Sequence, residues 1–287
     1  MKTVSSIKTV QKILRPLRGK KRIGFVPTMG AFHEGHLSLM RQARRECDSV
    51  VVSLFVNPLQ FGPKEDYAVY PRDLAADRKM AQGTGIDLLW TPTAEEIYPP
   101  SYRTYVNVEE ITQRWEGAIR PGHFRGVATV VAQLFQVVRP DRAYFGQKDY
   151  QQTRVIGQMV RDLHFDITLR IRPTYREKDG LAMSSRNRRL SPADRAAAPI
   201  LYQALRRVEA LIRQGVRDAK TLLAEAESLI ESEPRAAIDY ATLCNSETLE
   251  PIDRVEERTV LLLAVRIGPV RLLDNLLIQT KPSPRFF

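Results

Sequence analysis

His33 and His36 stand three residues apart in "GFVPTMGAFHEGH" (residues 24–36), with Gly30 and Gly35 close by. Imidazoles and glycines at this density admit three chemistries: a metal site, a phosphate cradle or an inert tight turn. The zinc-protease pattern needs histidines at i and i+4 on a helix, with a glutamate between them. Here the spacing is i, i+3, Gly35 intervenes and no third strong ligand is near. That disfavours zinc. A turn of two hydrogen-bonded, inert histidines would suit an isolated pair. The glycines favour phosphate, because they follow an apolar strand and precede a helix, where backbone amides and the helix dipole attract anions. Gly35, lacking a side chain, also lets a flat ring approach the backbone. An imidazole donor to a phosphate oxygen that gains charge in the transition state is worth about 3–4 kcal/mol, roughly 10²–10³ in rate.

Three further stretches carry groups of this kind. "MSSRN" (residues 183–187) offers Ser184, Ser185 and Arg186 as phosphate donors, although alone it reads as a polar, basic loop before a helix. Lys148 in "FGQKDYQQ" (residues 145–152) is a phosphate partner or a solvated surface lysine. Gln60 in "FVNPLQF" (residues 55–61) and Gln152 bear amides that both donate and accept, yet by themselves are unremarkable.

The elements that must position these groups follow from periodicity. Strand patterns cover residues 23–26, 50–56, 86–90, 105–108, 143–145 and 167–171. Helical patterns at 37–46, 73–82, 127–138 and 151–163 lie between several of them. The alternation predicts βαβ units on a mostly parallel sheet. The expected fold is α/β: a Rossmann-like domain over residues 1–175 with helices on both faces. Ligands in such sheets sit beyond the carboxyl ends of strands, where the histidine segment falls.

The pattern changes after "REKDGLAMSSRNRRL" (residues 176–190). Ser191, Pro192 and Asp194 form a capping box with proline at the first helical position, predicting one long helix to residue 213. A second helix fits 218–231, and strand pieces fit 239–243, 259–267 and 271–278, the last two an antiparallel pair. Residues 176–287 thus read as a smaller C-terminal α+β domain, with "KPSPRFF" (residues 281–287) as a frayed tail.

Composition bounds the rest. The chain has 287 residues, 43% hydrophobic, and its longest apolar runs are strand-sized, so no membrane helix is expected. Two distant cysteines, Cys47 and Cys244, supply neither a thiolate cluster nor a disulfide framework, and a reducing compartment is the default. The first 33 residues contain no acid, and "RPLRGKKR" (residues 15–22) is strongly basic. Read alone, that fits a transit peptide; the expectation is an amphipathic helix leading into the first strand. The net charge of +11 suits nucleic acid, a polyanionic substrate or merely a basic surface.

His-X-Gly-His after a first strand resembles the signature of the nucleotidyltransferase superfamily that includes class I aminoacyl-tRNA synthetases. Those proteins pair it with a mobile Lys-Met-Ser-Lys-Ser segment, of which "MSSRN" looks like a variant. More specifically, "PTMGAFHEGH", "FVNPLQF", "YPRD", "RPGHFRGVATVV", "FGQKDYQQ" and "REKDGLAMSSRN" resemble, jointly and in order, the pantoate–β-alanine ligase (pantothenate synthetase) family. The likeness is dense over residues 27–187 and looser beyond. Phe32 and Leu59, where the family usually has leucine and often has threonine, are mild departures that touch no polar role.

The resemblance implies a ligase that joins pantoate to ATP as pantoyl adenylate, releasing diphosphate. β-Alanine then attacks to give pantothenate, a coenzyme A precursor, and AMP. It implies an ATP site along Met29, Gly30, Ala31, Phe32, His33, Glu34, Gly35 and His36. Gly146, Gln147, Lys148 and Asp149 would form the nucleotide's other wall, with Tyr175 contributing backbone near adenine. Met183, Ser184, Ser185 and Arg186 would close over the phosphates from a C-terminal lid. His36 is the expected main donor, and His33, Lys148, Ser184, Ser185 and Arg186 complete the catalytic set. Gln60 and Gln152 would hold pantoate, with Gln60 also facing β-alanine. No strong general base is needed, since the carboxylate attacks already ionised.

Mg2+ is expected with ATP, mostly on phosphate oxygens and water. Asp77 is a candidate carboxylate partner or an exposed helical acid, and the metal ligands stay unassigned. The family further implies a homodimer in the cytoplasm, with no nucleic-acid or membrane partner. Two rivals remain. An adenylyltransferase or synthetase fragment would keep the histidines but need neither "NPLQF" nor "FGQKDYQQ". An RNA-binding module would fit the charge, yet no RRM-type or KH-type motif is present.

Overall fold

Neighbouring residues on the central strands bury against different sets of helices, and that alternation builds the larger part of the fold. The structure, a computed structural model, describes residues 1–63, 65 and 67–278; the tail read as frayed, 281–287, lies outside them. In chain order the first elements are β1 (Lys2–Val4), α1 (Ile7–Leu14), β2 (Ile23–Thr28), α2 (Glu34–Glu46), β3 (Ser49–Leu54), α3 (Leu74–Gln82) and β4 (Leu88–Trp90). Short helices α4 (Ala94–Ile97) and α5 (Glu116–Ile119) precede α6 (His123–Val138), β5 (Arg142–Gly146), α7 (Tyr150–Asp162) and β6 (Thr168–Arg172).

The six strands form one sheet in the order β1-β4-β3-β2-β5-β6, and every pairing is parallel. Phe25, Val51, Leu88, Trp90, Ala143 and Phe145 share a core with residues of α1, α6 and α7. Their neighbours Val26, Val50, Val52, Leu89 and Tyr144 share another with residues of α2 and α3. Side chains alternate across a sheet with period two, so these are its two faces, each covered by helices. β2 lies between β3 and β5. The chain therefore leaves β2 toward one side and later returns on the other, which makes the carboxyl ends of β2 and β5 the switch point of the sheet.

The chain divides into two compact units. One holds residues 1–147 and 151–173; the other holds 148–150 and runs on from residue 174. The second unit contains α8 (Pro192–Ala197), α9 (Ile200–Arg213), α10 (Ala219–Glu231), β7 (Ala236–Asn245), β8 (Thr259–Ile267) and β9 (Val270–Ile278). Its sheet is antiparallel, in the order β7-β8-β9. Leu205, Val208 and Ile212 of α9 and Leu222 and Ile230 of α10 pack with Leu261, Leu263 and Val265 of β8. Among the described residues no helix is long and apolar enough to cross a membrane.

Two expectations need correction, and one element was unforeseen. Residues 105–108 form no strand. Val106 instead donates its amide to Oγ1 of Thr129 on α6 at 2.9 Å, so a helix side chain takes the place of a strand partner. The long helix after Ser191 is broken into α8 and α9 at Ala198 and Pro199. Pro199 has no N–H to give and its ring crowds the preceding turn, so the helix restarts there. β1 was not expected; it is a three-residue edge strand on β4, too short for a periodic signal. The cap at Ser191 forms as the capping box requires, its Oγ accepting from the Asp194 amide at 3.2 Å.

Candidate active site

At the carboxyl end of β2 the chain turns through two left-handed residues, Gly30 (φ 83°) and Ala31 (φ 50°), before α2 begins. Gly30 takes this conformation freely; Ala31, carrying a Cβ, does so under strain. The turn is held from below. Oδ2 and Oδ1 of Asp77 on α3 accept from the Ala31 and Phe32 amides at 2.8 Å and 2.7 Å. Phe32 is fully buried and anchors the loop in the sheet's core. His33 is the N-cap residue of α2 in extended backbone, and Glu34 and Gly35 form the first turn. Glu34 pairs with Arg41 one face along the helix, and the Gly35 carbonyl accepts from Ser38 at 2.7 Å. The spacing i, i+3 then brings the rings of His33 and His36 together, centroids 4.1 Å apart. Both imidazoles sit at the helix N-terminus, where an anion is favoured.

Gln60 meets this loop. Its amide Nε2 lies 3.1 Å from Sδ of Met29, and its Oε1 accepts from Asn57 Nδ2 at 3.1 Å. Asn57 also donates to the Gly126 carbonyl at 3.1 Å and accepts from the Tyr98 hydroxyl at 2.8 Å. The backbone of the same turn is fixed as tightly. His123 Nδ1 lies 2.8 Å from the Gln60 carbonyl, and Arg120 Nη2 donates to it at 3.2 Å. Arg120 is itself paired with Glu65, Nε to Oε1 at 3.0 Å. Burial alone would raise the Glu65 carboxyl; hydrogen bonding and charge from Arg120 bring it below the ordinary range. Gly126 completes the fit, since a Cβ there would fall 2.3 Å from the Leu59 carbonyl oxygen.

Beyond β5, Gly146 ends the strand and the Gln147 amide donates to the Arg172 carbonyl at 2.8 Å. The two adjacent glutamines of α7 differ sharply. Gln151 is buried, donating to the Ile111 and Arg114 carbonyls at 2.7 Å and 2.8 Å and accepting from the Glu116 amide at 3.1 Å. Gln152 is half-buried.

In the second unit, Lys148, Ser184, Arg186, Arg271 and Asp274 line one hollow. Lys148 pairs with the half-exposed Asp149 at 3.2 Å, and its carbonyl accepts from Asn275 at 2.9 Å. Tyr175 and Met183 face each other across a tight hairpin, the Met183 amide donating to the Tyr175 carbonyl at 2.9 Å. Ser184 is the N-cap of a 3-10 turn covering Ser185–Arg189, and Ser185 is buried. Asn187 fastens this turn to the hairpin through Glu177 Oε1 at 2.7 Å and the Ala182 carbonyl at 3.1 Å. Arg176 forks onto the buried Asp274 at 2.6 Å and 2.9 Å. Burial pushes the Asp274 carboxyl up, against the pull of that guanidinium.

Asp77 is thus not an exposed acid; it is 2% exposed and accepts from two amides. Among the described residues no group of three or more His, Cys, Asp or Glu side chains could hold a metal ion. The signature loop and the Gln60 turn are brought together, while Asn57, Tyr98, Arg120 and His123 emerge as supports that residue-by-residue reading passed over. His123 lies within "RPGHFRG", and that motif was the available signal.

Residues 2–277 match the family model described as pantoate-beta-alanine ligase. The chain is 52% identical to the pantothenate synthetase of Moorella thermoacetica over 257 residues, 90% of this chain and 91% of that protein. It is 50% identical to that of Heliobacterium modesticaldum over 280 residues, 97% and 100% of the two chains. The crystal structure of pantothenate synthetase from Thermus thermophilus superposes with a TM-score of 0.93 at 48% identity, covering 97% of this chain and 100% of that one. The pantoate-beta-alanine ligase of Francisella tularensis, crystallised with beta-gamma ATP and beta-alanine, gives 0.80 at 36% identity over 99% and 100%.

Proposed function

The chain belongs to the pantoate–β-alanine ligase family, and from that premise we propose how its residues condense (R)-pantoate with β-alanine using ATP. A carboxylate oxygen of pantoate attacks the α-phosphorus of ATP, the bond from that phosphorus to the bridging oxygen breaks, and diphosphate leaves. The β-alanine nitrogen then attacks the acyl carbon of pantoyl adenylate. The bond to AMP breaks, and the amine proton passes to solvent. The protein's task is to align two anions and neutralise charge moving onto the leaving group.

The observation that carries this reading is the meeting of the histidine segment with the Gln60 turn. The Gln60 amide reaches the Met29 sulfur at 3.1 Å, and further along that segment the rings of His33 and His36 pair with centroids 4.1 Å apart. One segment thereby offers phosphate donors and the other an amide suited to hydroxyls and carboxylate. His36 is the main donor to the reacting phosphate, with His33 beside it. Lys148, Ser184, Ser185 and Arg186 add donors to the phosphate oxygens, charge-assisted at Lys148 and Arg186. Glu34, Gly35 and the Met29–Phe32 segment border ATP, as do Gly146, Gln147, Asp149, Tyr175 and Met183. Gln60 and Gln152 bind pantoate, and Gln60 also faces β-alanine.

Mg2+ accompanies ATP as its counter-ion, coordinated by phosphate oxygens and water, with no ligand set assigned to this chain. The family relationship supports a homodimer, and the two buried thiols, Cys47 and Cys244, suit the reducing cytoplasm. The test is diphosphate release from MgATP with and without pantoate, before β-alanine is added. Release that does not depend on pantoate, or its absence from a folded chain that binds ATP, contradicts the reading.

A further inference from the structure

The carboxylate of Asp77 lies in the first turn of α3, 2% exposed. A buried carboxylate is stable only where donors replace water. Here those donors are the consecutive amides of Ala31 and Phe32, at 2.8 Å and 2.7 Å. These two residues immediately precede His33, the N-cap of α2. Consecutive amides converge on one carboxylate because Ala31 adopts φ 50°, a conformation disfavoured for any residue with a Cβ. The charged acceptor is what holds that strained turn closed, since hydrogen bonds to an ionised group are the strong kind. Gly30 makes room for it: a Cβ at that position would lie 2.9 Å from Asp77 Oδ2. α3 is otherwise remote in sequence from the histidines, Asp77 standing 46 positions beyond Ala31.

We infer that Asp77 is a positioning residue for adenylation: by clamping the Ala31 and Phe32 amides it sets where α2 begins and where the His33 and His36 rings point. This rests on the reading of those histidines as phosphate donors. Displacing reacting groups by about 1 Å costs on the order of 10²-fold in rate, so loss of the clamp acts on the chemical step. The role differs from that of a magnesium ligand, because the carboxylate serves the backbone and not the ion.

Asp77→Ala and Asp77→Asn separate these possibilities. Hydrogen exchange at the Ala31 and Phe32 amides, measured without substrate, is expected to accelerate in Asp77→Ala and less in Asp77→Asn, which keeps one acceptor. Single-turnover diphosphate release is expected to fall about 10²-fold in Asp77→Ala, with Asp77→Asn between it and wild type. The MgCl2 concentration for half-maximal rate is expected to stay within about threefold of wild type, which a merely metal-binding role would not allow. Unchanged exchange at both amides overturns the clamp. Faster exchange with undiminished adenylation overturns the positioning role, as does restoration of either variant by excess MgCl2. Should Asp77→Ala fail to fold, Asp77→Asn carries the same comparisons. Absence of pantoate-dependent release from the wild-type chain would instead overturn the ligase reading, and the substrate-free exchange data keep the two failures apart.

Discussion

His123 Nδ1 lies 2.8 Å from the backbone carbonyl oxygen of Gln60. Arg120 approaches the other side of the ring, its Nη1 3.2 Å from Nε2. A guanidinium only donates, so Nε2 accepts and the proton sits on Nδ1, donated to Gln60. The buried ring is therefore neutral. Burial, reinforced by the charge of Arg120, pushes its pKa down to about 4.

This neutral histidine makes stability depend on pH with a defined sign. The unfolded chain, with an imidazole near 6.5, takes up a proton that the folded chain refuses until about 4. Stability is full above pH 6.5 and declines as pH falls through that window, by up to about 3 kcal/mol. His123→Asn keeps a donor near Nδ1 but cannot titrate. Urea unfolding between pH 4.5 and 7 is expected to show a flatter slope for the variant. An unchanged slope would place the pH dependence elsewhere.

His36→Ala tests the donor role. The side chain stands at the start of α2 without filling the core, so the fold is expected to survive. Removing a transition-state donor should slow adenylation by roughly 10²-fold or more. Near-normal turnover would take His36 out of the mechanism.

The two glutamines of α7 should behave as opposites. Gln151→Ala strips partners from the Ile111 and Arg114 carbonyls and the Glu116 amide. It is expected to lower stability by about 2–4 kcal/mol, the cost of buried groups left unsatisfied. Gln152→Ala should leave the melting temperature nearly unchanged and raise KM for pantoate more than for ATP. The reverse KM pattern would mean that the amide serves the nucleotide.

Gly126→Ala places a methyl 2.3 Å from the Leu59 carbonyl and 2.7 Å from the Gln60 amide, both backbone atoms. The turn bearing Gln60 must shift. A stability loss of about 1–3 kcal/mol, typical of overpacking, should accompany raised KM values for pantoate and β-alanine. Wild-type KM values from a destabilised variant would show that Gln60 is not held through this contact.

Much of this was legible in the sequence, for local reasons. The runs at β2, β3 and β5 are apolar and strand-sized, and the glycine-histidine segment falls at the end of β2 as the alternation requires. Ser191 and Asp194 announced their cap. What escaped depends on contacts distant in sequence. Nothing around Asp77 tells that its carboxylate meets amides 46 and 45 positions away. Val106 looks like strand but finds Thr129 on a helix. Pro199 was legible and overlooked, because three alanines before it continued the helical pattern. The roles of Gln60 and Gln152 come from family resemblance, since an amide on a loop or helix surface has no distinguishing periodicity.

The central claim is that this chain activates pantoate by adenylation, and transient diphosphate release from MgATP tests it most directly. The expected result is a burst that requires pantoate, close to one diphosphate per active site, followed by steady AMP formation once β-alanine is supplied. Release that is independent of pantoate, or AMP formation that occurs only when all three substrates are present together and without any burst, would contradict it.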